Sequence, residues 1–209
     1  KLKELAKSKK LIILESLMYQ YHPSLKEIKK LIKKNKYDLL EIDFLIPKLK
    51  RNNFRNNKKL GASAFWDIGY YNLSIINILF NKYKILNIKS NILFKNKIDF
   101  FGTIEFSINN LIVILTWGYG FNYRNSINIS NEFCSISMQN IFSKKNEKAS
   151  YLEIHEDSKK QIKYKAVNQF RYIFEHYLKL NKNYNHAKKE MSLIDKRIYL
   201  ADSIYYKNI

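Results

Sequence analysis

The chain has 209 residues, 46% of them hydrophobic and 27% charged, which is enough for one good core and too apolar for a disordered segment. No apolar run reaches about 18 residues, so no membrane span is expected, and one cysteine, Cys134, excludes an internal disulfide framework and suits a reducing cytoplasm. The formal charge of +20 comes from 38 basic residues, of which only five are Arg, so a lysine-rich composition accounts for it better than specific nucleic-acid recognition, where Arg is favoured.

Lys1 stands where a Met would begin a chain, and "KLKELAKSKK" reads as part of a helix, so the chain is expected to be a piece whose upstream part lies elsewhere. "LIILES" (Leu11 to Ser16) reads as a short buried strand. Pro23 or Ser24 starts a helix, "PSLKEIKKLIKK", with Leu25, Ile28, Leu31 and Ile32 at helical spacing. Tyr37 to Leu49 is extended in pattern, and Pro47 marks its edge or exit. A polar, Asn-rich loop follows from Arg51 to Lys59. A helix is predicted from about Ala62 to Phe80, its apolar side formed by Phe65, Leu73, Ile76, Leu79 and Phe80.

The middle of the chain is rich in strands: "KILNIKSNILF", "FFGTIEFSI", "NLIVILTWGYGF", "NSINIS", "FCSISM" and "SYLEIHED". In the second, Ile104, Phe106 and Ile108 alternate with Thr103, Glu105 and Ser107, as in a strand buried on one face. The connections are too short for parallel crossovers, so the sheet should be mainly antiparallel. Two helices close the chain. Ala166, Phe170, Ile173, Phe174 and Tyr177 form the stripe of one; Ala187, Met191, Ile194, Ile198, Ala201 and Ile204 form that of the other. The fold class is α+β, a large mainly antiparallel sheet flanked by helices.

Few residues offer chemistry. "EIHED" gathers Glu153, His155, Glu156 and Asp157 before a polar turn, and a solvated loop accounts for it, so no metal site is expected. His22, His176 and His186 are isolated, and Cys134 alternates with Ile136 and Met138 as a core residue would. "GYG" at Gly118 to Gly120 lacks the third glycine of a dinucleotide fingerprint and lies in a strand. In "GASAFWDIGYYNLS", Asp67, Tyr71 and Ser74 would share a helix face, and Gly69 would let something flat come close. Such a tyrosine can pass a proton to or from a substrate oxygen if a cation lowers its pKa. Spacing alone favours a helix start, with Asp67 at the positive end of the dipole and Tyr71 packed in the core.

The chain resembles the glucose–fructose oxidoreductase and inositol dehydrogenase (Gfo/Idh/MocA) oxidoreductases over nearly its whole length. "LAKSKKLIILESLMYQYHPSLKEIKKLI" is similar to the end of that family's Rossmann domain with its H-P exit. "KLGASAFWDIGYYNLSIINILF" resembles its "GGGALxDIGxY/H" helix. "IDFFGTIEFSINNLIVILTWGYGFNYRNSINI" resembles its sheet segment, and "AVNQFRYIFEHYL" and "MSLIDKRI" its closing helices.

The resemblance implies that residues 1–22 are the tail of a Rossmann NAD(P)-binding domain and 23–209 the substrate and oligomerisation domain. It implies hydride transfer between a nicotinamide cofactor, NAD or NADP, and a secondary alcohol or carbonyl of a sugar or polyol. Asp67 matches the family's acid and Tyr71 its proton donor or acceptor, while the partner lysine of an "EKP" motif would precede Lys1. Gly69, Tyr19 and Gln20 are the positions implied to face the cofactor. Gln20 departs from a common Arg, and Gly61-Ala62-Ser63 from the usual glycine triplet. A homo-oligomer formed through the sheet is expected, in the cytoplasm. Two other readings stay open: a non-catalytic scaffold derived from the family, and a basic nucleic-acid-binding domain.

Overall fold

The computed structural model describes residues 2–80 and 83–206, which form five α-helices and eight strands. The helices are α1 (Leu2–Ser8), α2 (Pro23–Lys34), α3 (Tyr70–Leu79), α4 (Gln169–Asn181) and α5 (Tyr184–Tyr205). The strands are β1 (Leu39–Ile46), β2 (Ile85–Lys95), β3 (Ile98–Ile108), β4 (Leu111–Tyr119), β5 (Arg124–Ser130), β6 (Ser135–Gln139), β7 (Ser150–His155) and β8 (Lys159–Tyr164). All eight belong to one sheet, ordered β2-β3-β4-β1-β5-β6-β7-β8. Every neighbouring pair is antiparallel except β1 and β4, which run parallel with Ile42 opposite Leu115. The predicted mainly antiparallel sheet is therefore present, with β1 inserted at its centre. Pro47, which has no N–H to give, follows directly after β1 ends.

Alternation divides the sheet into two faces. Leu40, Ile42, Phe106, Val113, Leu115, Trp117, Ile127, Ile129, Ile136, Met138 and Leu152 point to one core, where α3 and the turn before it lie across β1, β3 and β4. Packed behind α3 are α2 and α5, and α4 lies against α5. The opposite face carries Thr103, Glu105, Thr116, Ser126, Asn128, Ser137 and Glu153. The lysine-rich β8 was not foreseen in the sequence. Three lysines in six residues hide its period, yet they suit an edge strand, where charge discourages further pairing.

Local chemistry explains the helix starts. The imidazole of His22 accepts from the Ser24 N–H at 3.2 Å and Pro23 occupies the first turn, so α2 starts where expected. Burial pushes His22 down to about 4, with Lys144 adding to the effect, and the neutral ring is the form that can accept at Nδ1.

Several expectations fail for definable reasons. Leu11 to Ser16 is irregular rather than a strand: the sheet does not reach it, Leu11 is exposed, and Glu15 is drawn to Arg197. The helix predicted from Ala62 begins instead with a wide π-helical turn, Phe65–Gly69, that leads into α3. Ser74 faces inward, its hydroxyl bonded to Tyr19 and to the Tyr71 carbonyl, and does not share the outer face with Asp67. In α4 only Ile173 of the expected stripe is buried. Asn168 caps the helix and leaves Ala166 outside it; Gln169, Ile173 and Leu180 are buried, while Phe170, Phe174 and Tyr177 are exposed. The buried side of α4 meets both α5 and the turn Met18–Tyr21. In α5, Ala187, Met191, Ala201 and Ile204 are buried as predicted, but Ile198 is 42% exposed and Arg197 takes the interior place.

Candidate active site

The wide turn is built by acids and hydroxyls around it. Buried Asp99 accepts from the Phe65 N–H at 2.7 Å and from the Tyr205 hydroxyl at 2.9 Å. Ser63 Oγ accepts from the Trp66 N–H at 3.1 Å, as an N-cap does. The Tyr70 N–H reaches back to the Phe65 carbonyl, one residue further than in an α-helix, which closes the wide turn. Asn72 anchors α3 to the sheet through bonds to the Thr116 and Ile42 carbonyls at 2.6 and 3.3 Å. The first turn of the helix is thus held from the sheet, from α5 and from its own cap.

Asp67 and Tyr71 lie together at this end of the helix. One carboxylate oxygen of Asp67, Oδ2, accepts from Arg55 Nε at 2.6 Å and from the Tyr119 hydroxyl at 2.9 Å. The Tyr71 ring packs against Tyr19, Phe44 and Phe142 at centroid distances of 5.7, 5.6 and 5.7 Å. Its hydroxyl pKa is raised, first by burial and then by the Asp67 charge, with Arg55 pulling the other way. Burial also raises Tyr119, and Asp67 adds to it. Tyr71 is accordingly a neutral phenol at neutral pH, able to donate a proton to a carbonyl oxygen. Asp67 keeps Oδ1 without a partner among the described residues, able to accept from a hydroxyl.

The positions expected to face a cofactor divide. A Cβ on Gly69 would lie 2.9 Å from the Trp117 ring, so the flat group that Gly69 admits is an indole of the core. Tyr19 is fully buried with its hydroxyl on Ser74, which also makes it a packing residue. Gln20 is half-buried, and its Nε2 is buried without a partner among the described residues. Gly69 and Tyr19 thus do not fit a dinucleotide in this chain. Among the described residues no group of three or more His, Cys, Asp or Glu is placed to hold a metal ion, and no helix is long and apolar enough to cross a membrane. Glu153 of "EIHED" belongs to β7 and pairs with Lys159 of β8 at 3.3 Å.

Arg55 and Tyr119 were not singled out in the sequence. Arg55 lies in the Asn-rich loop, on a short turn (Phe54–Asn56) that Asn53 caps by accepting from the Arg55 N–H at 3.0 Å. Tyr119 is the last residue of β4, set between Gly118 and Gly120, and the latter's φ of +91° turns the chain away. The available signal was two arginines, Arg51 and Arg55, in a loop of asparagines and lysines.

No protein-family model and no curated protein matches the chain. Solved structures do. The 3-ketoreductase KijD10 from Actinomadura kijaniata, in complex with NADP and TDP-benzene, matches with a TM-score of 0.88 at 16% identity, over 98% of this chain and 65% of its own. UDP-N-acetylglucosamine 3-dehydrogenase GnnA from Acidithiobacillus ferrooxidans matches with a TM-score of 0.70 at 12% identity, over 97% and 64%. The aldose-aldose oxidoreductase from Caulobacter crescentus, complexed with glycerol, has a TM-score of 0.71 at 12% identity, over 94% and 64%. The chain therefore shares its fold with part of each of these proteins, and it spans 64–65% of their length.

Proposed function

We propose that this chain is the substrate-binding part of an oxidoreductase that converts a secondary alcohol and a carbonyl of a sugar or polyol into one another. The observation that carries the reading is the Asp67–Tyr71 pair, held at the start of α3 with one carboxylate oxygen and one phenol free for a ligand. NAD or NADP would supply the hydride, held mostly by residues outside these 209, and residues 1–22 are read as the end of that binding domain. The solved structures that share the fold support this reading through the NADP, nucleotide-sugar and aldose chemistry in their descriptions.

The geometry supports the following roles. Asp67 Oδ1 accepts a hydrogen bond from a ring hydroxyl and so fixes the sugar's orientation. Tyr71 donates its proton to the carbonyl oxygen during reduction, and takes one from the alcohol during oxidation once a cation has lowered its pKa. The three aromatic rings around Tyr71 leave its phenol little freedom. The polar sheet face that none of the described helices covers is proposed as the surface for a homo-oligomer.

A scaffold role is the second reading, favoured by the inward placing of Gly69 and Tyr19. A turnover assay on the complete protein separates the two. Consumption of reduced nicotinamide with a keto-sugar, with KM raised at least about tenfold in Asp67→Asn, is the expected outcome. No turnover with any keto-sugar or polyol would favour the scaffold.

A further inference from the structure

Asp67 uses one oxygen for two protein donors and leaves the other open. Arg55 is in the complementary state. Its Nε is committed to Asp67 at 2.6 Å, and its two Nη groups bond to nothing among the described residues. The side chain is 33% exposed, and its guanidinium lies over the Phe54 ring at 4.8 Å, which fixes the plane of the fork. A planar fork has two usable edges, so Arg can hold a carboxylate with one and a second anion with the other. In a chain that takes lysine for 33 of its 38 basic residues, this use of Arg calls for bidentate geometry rather than charge alone.

We propose that Arg55 is a specificity-determining residue, whose free Nη edge binds an anionic group carried directly on the sugar ring, a carboxylate or a phosphoryl. The pairing supports it: Arg55 Nε and Asp67 Oδ2 are 2.6 Å apart, so the open Oδ1 and the open Nη edge belong to one ion pair that a single sugar ring and a group it carries could engage together. Tyr119 completes the device by holding Asp67 Oδ2 when the anion draws on the guanidinium. The proposal rests on reading Asp67 and Tyr71 as a sugar site.

Glucose, glucuronate and glucose 1-phosphate are titrated into the protein at fixed ionic strength and followed by saturation-transfer NMR. At least one of the two anions should bind about tenfold or more tightly than glucose. Glucuronate and the phosphate ester separate the two sources of the anion. In Arg55→Gln that preference should fall to within about twofold, while Lys58→Gln with Lys59→Gln should leave it intact. Arg55→Lys serves if the glutamine variant fails to fold; its single ammonium keeps the pair with Asp67 but has no second edge, so it too should lose most of the preference. Survival of the preference in both Arg55 variants, or equal binding of glucose and both anions, overturns the assignment. Glucose binding that is unaffected by Asp67→Asn instead overturns the sugar-site reading, and absence of any saturable sugar binding overturns both.

Discussion

Gly69 shows how one residue can be read two ways. Its missing side chain suggested space for a ligand, but the space is filled by Trp117 from β4. Alanine normally stabilises a helix relative to glycine by about 1 kcal/mol, so the sign of Gly69→Ala is informative. The added methyl would sit 2.9 Å from the indole and 3.0 Å from Phe65, both fully packed. Gly69→Ala should therefore lower stability by about 1–3 kcal/mol in thermal or urea unfolding. A rise in stability would mean that Gly69 faces open space after all. Asp67 was legible at this scale because its spacing to Tyr71 is local. Arg55 and Tyr119 were not, because they reach Asp67 from 12 and 52 residues away.

The segment from Met18 to Lys34 depends on a buried histidine. His22 caps α2 in its neutral form, and burial lowers its pKa from 6.5 to about 4. The folded state therefore resists a proton that the unfolded chain accepts. Its contribution is complete above about pH 6.5 and is lost as pH falls towards 4, with about 1–3 kcal/mol at stake. His22→Asn, which can also cap, should flatten the stability-against-pH curve in this window; an unchanged slope would assign it to the carboxylates instead.

Helix α4 gives the opposite lesson. Its stripe had the right period and included the buried Ile173, but period does not say how far round the helix its partners reach. Ile173→Ala should cost about 2–4 kcal/mol and Phe174→Ser less than about 0.5 kcal/mol in the same unfolding assay. Comparable losses at the two positions would place α4 the other way round.

At the scale of the molecule, the strands from β3 to β6 were readable because they largely alternate and the turns between them are short. The insertion of β1 between β4 and β5 was not, since nothing local encodes which strand lies beside it. The irregular segment Leu11 to Ser16 is tied to both ends of the fold by Glu15, which accepts from the Tyr70 hydroxyl and from Arg197 Nε at 2.5 Å. Arg197 is 4% exposed, so Glu15→Gln would leave its charge buried and poorly compensated, at a cost of about 3–5 kcal/mol. Through Tyr70, that loss would also loosen the start of α3, next to Tyr71.

The proposed function turns on Tyr71 as the group that moves the proton in a hydride-transfer reaction. This role is tested most directly by Tyr71→Phe in the full protein, with turnover and cofactor affinity measured on the same preparation. The ring contacts of Tyr71 survive in phenylalanine and only the hydroxyl is lost, so a fall in kcat of about 10²–10⁴-fold with cofactor Kd unchanged within about twofold is predicted. Turnover close to that of the parent enzyme would contradict it.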